Sequence, residues 1–173
     1  MIVLLTSLPG TGKTTVLDKF LKKYSGDCFW ILSKEIRNNK GERVGFEAVT
    51  SDGRRETFAH KELIKSENLV GSYQVDLAVI DRLFSEPILQ ELKGAKRLLV
   101  IDEIGRMEML SKKFVNTIDM LFDADTPVLA TIRHGDDWAE KYKNYRNVKV
   151  LELTEGNRDH LPDTLVEIFK DIK

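Results

Sequence analysis

Short apolar runs alternate along this chain with stretches in which apolar side chains recur every three or four positions. The runs predict strands at 2–6, 28–32, 98–102, 127–132 and 148–153, each bounded by turn-forming or charged residues. Helical spacing links Val16, Leu17, Phe20, Leu21 and Tyr24, then Phe114, Val115, Ile118, Leu121 and Phe122, then Leu161, Leu165, Ile168, Phe169 and Ile172. Pro162 suits the first turn of the last helix, where its missing N–H costs nothing. Between 76 and 92 the pattern predicts two shorter helices, because Ser85 and Pro87 interrupt it. Apolar strands followed by amphipathic helices imply an α/β domain with a mainly parallel sheet.

The stretch from Ser33 to His60 breaks this alternation. Its turn signals, Asn39-Lys40-Gly41 and Asp52-Gly53, separate short β-like runs and predict a small antiparallel excursion. Arg37, Arg43, Arg54 and Arg55 lie in it. They fit a lid over an anionic site and equally a charged edge that discourages strand pairing.

Candidate chemistry begins directly after the first strand. Thr6-Ser7-Leu8-Pro9-Gly10-Thr11-Gly12-Lys13-Thr14-Thr15 carries the sequence order of a phosphate cradle: strand, Gly-rich turn, then Lys-Thr opening a helix. Backbone N–H groups of the turn and the positive end of the helix face one anion. The expected nucleotide-binding residues are Ser7, Leu8, Pro9, Gly10, Thr11, Gly12, Lys13, Thr14 and Thr15. Lys13 is expected to reach the β- and γ-phosphates, and Thr14 to hold Mg²⁺ through its hydroxyl. Ser7 stands where the motif has its first glycine.

The strand at 98–102 ends in Asp102-Glu103. In a chain with a phosphate cradle, Asp102 is the expected second metal residue and Glu103 the expected polariser of an attacking water. A glutamate beside the metal aspartate favours hydrolysis over simple nucleotide-dependent switching. At the end of the next strand, Arg133 is a candidate for neutralising transition-state charge. The competing reading pairs Arg133 with Asp136 or Asp137, and Arg106 competes for the same catalytic role.

Composition narrows the picture further. The 173 residues carry 27 basic and 28 acidic side chains, so no net charge draws the chain to nucleic acid or to an acidic membrane. Charged residues make up 32%, with both signs interspersed, as on ion-pair-rich thermophile surfaces. Cys28 stands alone, which excludes an internal disulfide and a cysteine-based zinc site. No apolar run approaches the ~20 residues of a membrane span. A monomeric cytoplasmic protein of one domain, 1–173, with neither nucleic-acid nor membrane partners, is the expectation.

Asp102-Glu103-Ile104-Gly105-Arg106-Met107-Glu108 resembles the Asp-Glu-Ile-Gly-basic-Met-Glu signature of the thermophile-type nucleoside-triphosphatases. That family is related to the cancer-related nucleoside-triphosphatase and was formerly grouped with candidate nucleotide kinases. Arg43-Val44-Gly45-Phe46, Val70-Gly71-Ser72-Tyr73-Gln74-Val75-Asp76 and Asn157-Arg158-Asp159 resemble further segments of the family. The resemblance implies a P-loop three-layer α/β sandwich with a mainly parallel central sheet and a small antiparallel insertion. It also implies slow, Mg²⁺-dependent hydrolysis of ATP, GTP, CTP and UTP to the diphosphate and phosphate. Ser7 and the Ser33-Lys34-Glu35 segment depart from the family pattern.

Two other readings stand beside this one. A nucleotide or nucleoside kinase would use the basic excursion over an acceptor, and a nucleotide-gated binding module would use hydrolysis only to reset a partner. His60, His134 and His160 lack metal-ligand spacing, and Met107, Met109 and Met120 read as packing residues. Asn157 and Arg158 fit either a base contact or a helix-entry turn.

Overall fold

The first strand, β1 (Ile2–Ser7), is buried along its whole length, as a continuous apolar run demands of a central parallel strand. Its alternate side chains feed two cores, Ile2 and Leu4 on one face and Val3 and Leu5 on the other. On the second face, α1 (Lys13–Lys23) buries Val16, Leu17 and Phe20 against α6 (Leu161–Phe169), and Phe20 meets Phe169 edge-on at 6.2 Å. Phe114, Ile118, Leu121 and Phe122 of α4 (Lys112–Asp123) close the first face together with a helical run at 77–91. The chain is thus three-layered in this computed structural model, which describes residues 1–94 and 97–172.

The remaining strands are β2 (Cys28–Arg37), β3 (Arg43–Thr50), β4 (Arg55–His60), β5 (Leu69–Val70), β6 (Tyr73–Val75), β7 (Leu98–Ile104), β8 (Val128–Arg133) and β9 (Val148–Glu152). They form one mixed sheet in the order β5-β6-β4-β3-β2-β7-β8-β1-β9. Neighbours from β2 to β9 run parallel, and those from β5 to β2 run antiparallel. All the strands predicted from apolar runs fall in the parallel half. β8 lies between β1 and β7, which sets the cradle strand and the acid strand about 10 Å apart at the usual inter-strand spacing.

The antiparallel excursion expected between Ser33 and His60 is present and prolongs the main sheet: β2 continues to Arg37, and β3, β4, β6 and β5 follow it. Leu32 pairs with Asp102 at the last parallel register, and beyond it β2 pairs with β3 while leaving the apolar layer. The run of apolar residues therefore ends before the strand does. The two helices expected between 76 and 92 are one continuous helical run, α2 (Leu77–Ile80), a π turn (Asp81–Ser85) and α3 (Glu86–Glu91). The Glu86 N–H bonds back to the Asp81 carbonyl, and this wider turn carries the chain into Pro87, which has no N–H to give. Met120 is exposed, whereas Met107 and Met109 pack on the first core. Among the described residues, no helix is long and apolar enough to cross a membrane.

Candidate active site

The turn after β1 is shaped by its two glycines. Gly10 (φ 80°) and Gly12 (φ 103°) occupy the left-handed region that L side chains avoid. No described non-glycine residue has positive φ, so Ser7 enters the turn in an ordinary conformation and the missing first glycine costs nothing. The Ser7 hydroxyl donates to the Leu8 carbonyl at 3.0 Å, and the Thr11 hydroxyl donates to the same oxygen at 2.8 Å. No side chain caps α1, which leaves its first N–H groups for an anion.

Lys13 and Thr14 open α1, and Thr14 joins the cradle to the acid strand: its hydroxyl donates to Asp102 Oδ2 at 2.6 Å. The other Asp102 oxygen accepts from the fully buried Thr131 hydroxyl of β8, also at 2.6 Å. Burial raises the Asp102 carboxyl above its ordinary value, against hydrogen bonds from Thr131 and Thr14 and the charge of Lys13. Two hydroxyl donors on one buried carboxylate organise its charged form. Because Thr14 spends its proton on Asp102, its oxygen lone pairs remain for a cation. Among the described residues no group of three or more His, Cys, Asp or Glu is arranged for a metal. A hydroxyl and one carboxylate make a partial set of hard oxygens, which fits Mg²⁺, an ion that retains waters and takes phosphate oxygens.

Glu103 directly follows. Burial raises its carboxyl; the charges of Lys13 and Arg133 oppose the rise and that of Asp102 adds to it. The sequence assigned a role to Glu103 but none to Glu108, the last residue of the signature run, which is 4% exposed. A Cβ on Gly105 would stand 2.8 Å from Glu108 Oε2 and 3.4 Å from Glu103 Cγ. Both glutamates therefore pack around Gly105, and a Cβ there would displace the Glu108 carboxylate. Burial first, then the charge of Glu103, pushes the Glu108 carboxyl up to about 8.

Both candidate arginines converge on Asp136. Arg106 forks onto its carboxylate with Nε at 3.0 Å from Oδ2 and Nη2 on Oδ1. Arg133 Nε lies 2.8 Å from the same Oδ2 without the alignment of a hydrogen bond. The pairing weighed for Arg133 is thus present, although Arg133 also acts on the charge of Glu103.

A cleft of about 920 Å³ collects Ser7, Pro9, Gly10, Gly12, Lys13, Thr14 and Thr15 with Asp102, Glu103, Arg106 and Arg133. Leu8 and Thr11 do not line it. Of the arginines in the excursion, Arg37 and Arg43 line the cleft, while Arg54 and Arg55 pair elsewhere with Asp52 and Glu47. Asn157 closes a turn, accepting from the Thr154 N–H and donating to the Glu152 carbonyl.

A sequence model of the family described as NTPase matches residues 2–166. The chain belongs to this NTPase family. It is 36% identical over 171 residues to a nucleoside-triphosphatase THEP1 of a Thermotoga species, covering 98% of this chain and 96% of that protein. It is 37% identical over 180 residues to the human cancer-related nucleoside-triphosphatase, covering 93% of each. The crystal structure of THEP1 from Aquifex aeolicus superposes with a TM-score of 0.85 at 30% identity, over 97% of this chain and 98% of that one. The P-loop α/β architecture expected from the sequence is the architecture of this NTPase-family chain, with a sheet more evenly divided between parallel and antiparallel than expected.

Proposed function

We propose that the chain slowly hydrolyses nucleoside triphosphates to the diphosphate and phosphate, with Mg²⁺ and with little discrimination among bases. One observation carries the reading: the half-buried Glu103, facing the cleft, follows the aspartate that is hydrogen-bonded to the cradle hydroxyl of Thr14. Thr14 and Asp102 would hold Mg²⁺, which when bound neutralises charge on the β- and γ-oxygens. Lys13 and the backbone N–H groups of the turn bind and orient the phosphates. Glu103 takes the proton of the attacking water, a task for which a carboxyl raised above its ordinary value is better matched than an exposed one. Arg133, on the strand between cradle and acid, meets the developing charge; Arg106, more exposed, anchors Asp136 instead.

Tolerance for the base follows from what these groups address, which is phosphate and metal throughout. Phosphate release from ATP, GTP, CTP and UTP, with Mg²⁺ and then with a chelator, tests the reading. All four are expected to turn over at rates within about tenfold of one another, because the groups assigned to the reaction address phosphate and metal rather than the base. The chelator is expected to abolish release. Turnover of one base alone, or turnover indifferent to the chelator, would contradict the proposal.

A further inference from the structure

The antiparallel half of the sheet builds a wall beside the catalytic end of the cleft. β2 outruns its parallel partner β7, so Glu35 and Arg37, with Arg43 and Phe46 across the ladder, stand beyond the register of Asp102. Tyr73 of β6 joins them, and all five line the cleft that holds Lys13 and Glu103. Across the molecule the order is cradle strand β1, then β8, then the Glu103 strand β7, then β2 and β3. Glu103 lies between the cradle and this wall.

Phosphoryl transfer runs in line, with nucleophile and leaving oxygen on opposite sides of the γ-phosphorus. If Glu103 orients the nucleophile, the nucleoside of the bound triphosphate extends away from Glu103 and leaves the space beyond it unfilled. The wall faces that space and carries binding chemistry of its own. Arg43 Nη1 donates to Glu35 Oε1 at 3.0 Å, and its Nε donates to the Tyr73 hydroxyl at 3.1 Å. Its guanidinium carbon lies 5.3 Å from the centre of the Phe46 ring, and the Phe46 and Tyr73 rings meet edge-on at 5.3 Å. Arg37 donates to the other Glu35 oxygen and to the Gly41 carbonyl. Two guanidinium groups on one carboxylate leave a net positive charge. Burial works against ionised Glu35, but hydrogen bonds from Arg43 and Arg37 hold its carboxyl below the ordinary value, so the fork persists at neutral pH. N–H groups of Arg43 not spent on Glu35 and Tyr73 remain free to meet an anion.

We propose that this wall is a second-ligand subsite for a ligand that joins a planar ring to an anionic group, of which a nucleoside monophosphate is the simplest representative, occupied while a triphosphate fills the cradle. Phe46 and Tyr73 supply aromatic surface for the base, and Arg43 with Arg37 supplies the cation for the phosphate. The proposal rests on the triphosphatase reading for the direction in which the γ-phosphate points. A ligand on this side crowds the water beside Glu103, so it lowers maximal phosphate release without raising the KM for MgATP.

The test is calorimetric titration of AMP, GMP, CMP and UMP into protein saturated with Mg²⁺ and β,γ-imido-ATP. At least one monophosphate is expected to bind the loaded protein, with Arg43→Ala weakening it about tenfold and Tyr73→Phe weakening it less. The matching nucleoside, lacking the phosphate, is expected to bind more weakly than its monophosphate. Arg43 is exposed, and Tyr73→Phe removes only a hydroxyl, so neither result hinges on a variant that fails to fold. No binding to the loaded protein, binding undiminished by Arg43→Ala, or a nucleoside that binds as well as its monophosphate would overturn the proposal. Failure of the triphosphatase reading is seen separately, as absent phosphate release from MgATP alone by the native protein.

Discussion

Asp136 pairs with both arginines that the sequence offers for the transition state, and the two are not equivalent: only Arg106 is hydrogen-bonded to it. Arg133 ends the strand between cradle and acid and acts on the charge of Glu103; Arg106 is more exposed and bound in a fork. Arg133→Ala is expected to lower kcat by on the order of 10²-fold, the usual cost of one preorganised donor to developing charge. Arg106→Ala is expected to cost severalfold, and steady-state phosphate release compares them. Glu108 gives a second prediction at this scale. Buried against Glu103 and within the field of Asp102, it keeps its proton up to about 8, whereas the unfolded chain releases it near 4.5. In that window the folded state binds more protons, so stability falls as pH rises, by on the order of a few kcal/mol across it. Urea midpoints of metal-free protein at pH 5 and pH 8 are expected to differ less in Glu108→Gln than in the native chain. Equal slopes would remove Glu108 from the account. The cradle was legible residue by residue because its signal is local: glycines, lysine and threonine within one turn. Thr131 and Glu108 were not, because a hydroxyl on β8 and a carboxylate folded around Gly105 acquire meaning only once strands and turn are packed together.

Elements were legible wherever burial wrote a period into the sequence. The five apolar runs became the parallel strands, and the stripe through Phe114, Ile118, Leu121 and Phe122 became α4. Where neighbouring strands rather than an apolar layer hold the chain, as in β2 beyond Leu32, no such period exists, and turn signals rather than periodicity marked the antiparallel pairs. The helical run at 77–91 was divided in two because Pro87 signals a break, whereas the π turn before it carries the chain through. That run is tied to α4 by Ser111, whose hydroxyl donates to Asp81 and accepts from the Phe114 N–H as the N-cap. Ser111→Ala is expected to destabilise the protein by about 1–2 kcal/mol, the range for a lost cap. Urea unfolding with an unchanged m-value checks it; a loss within error would mean that water replaces both bonds.

For the molecule as a whole, the sheet order decides what the chemistry can be. One strand between cradle and acid brings Asp102 to Thr14 and leaves Glu103 facing the cleft, while the antiparallel half closes its far side. The sequence announced both halves of the site, the strand at 127–132 and the antiparallel excursion, but not the order in which the sheet sets them side by side. Strand order belongs to pairings between segments far apart in the chain, which no local pattern encodes. The central claim is that Glu103 activates water in a site whose other parts bind the nucleotide. Single-turnover phosphate release from MgATP by native protein and Glu103→Gln, with nucleotide affinity measured on the same preparations, tests it most directly. The account predicts a fall in release of 10²-fold or more with affinity held within severalfold. Release at the native rate in Glu103→Gln would contradict it.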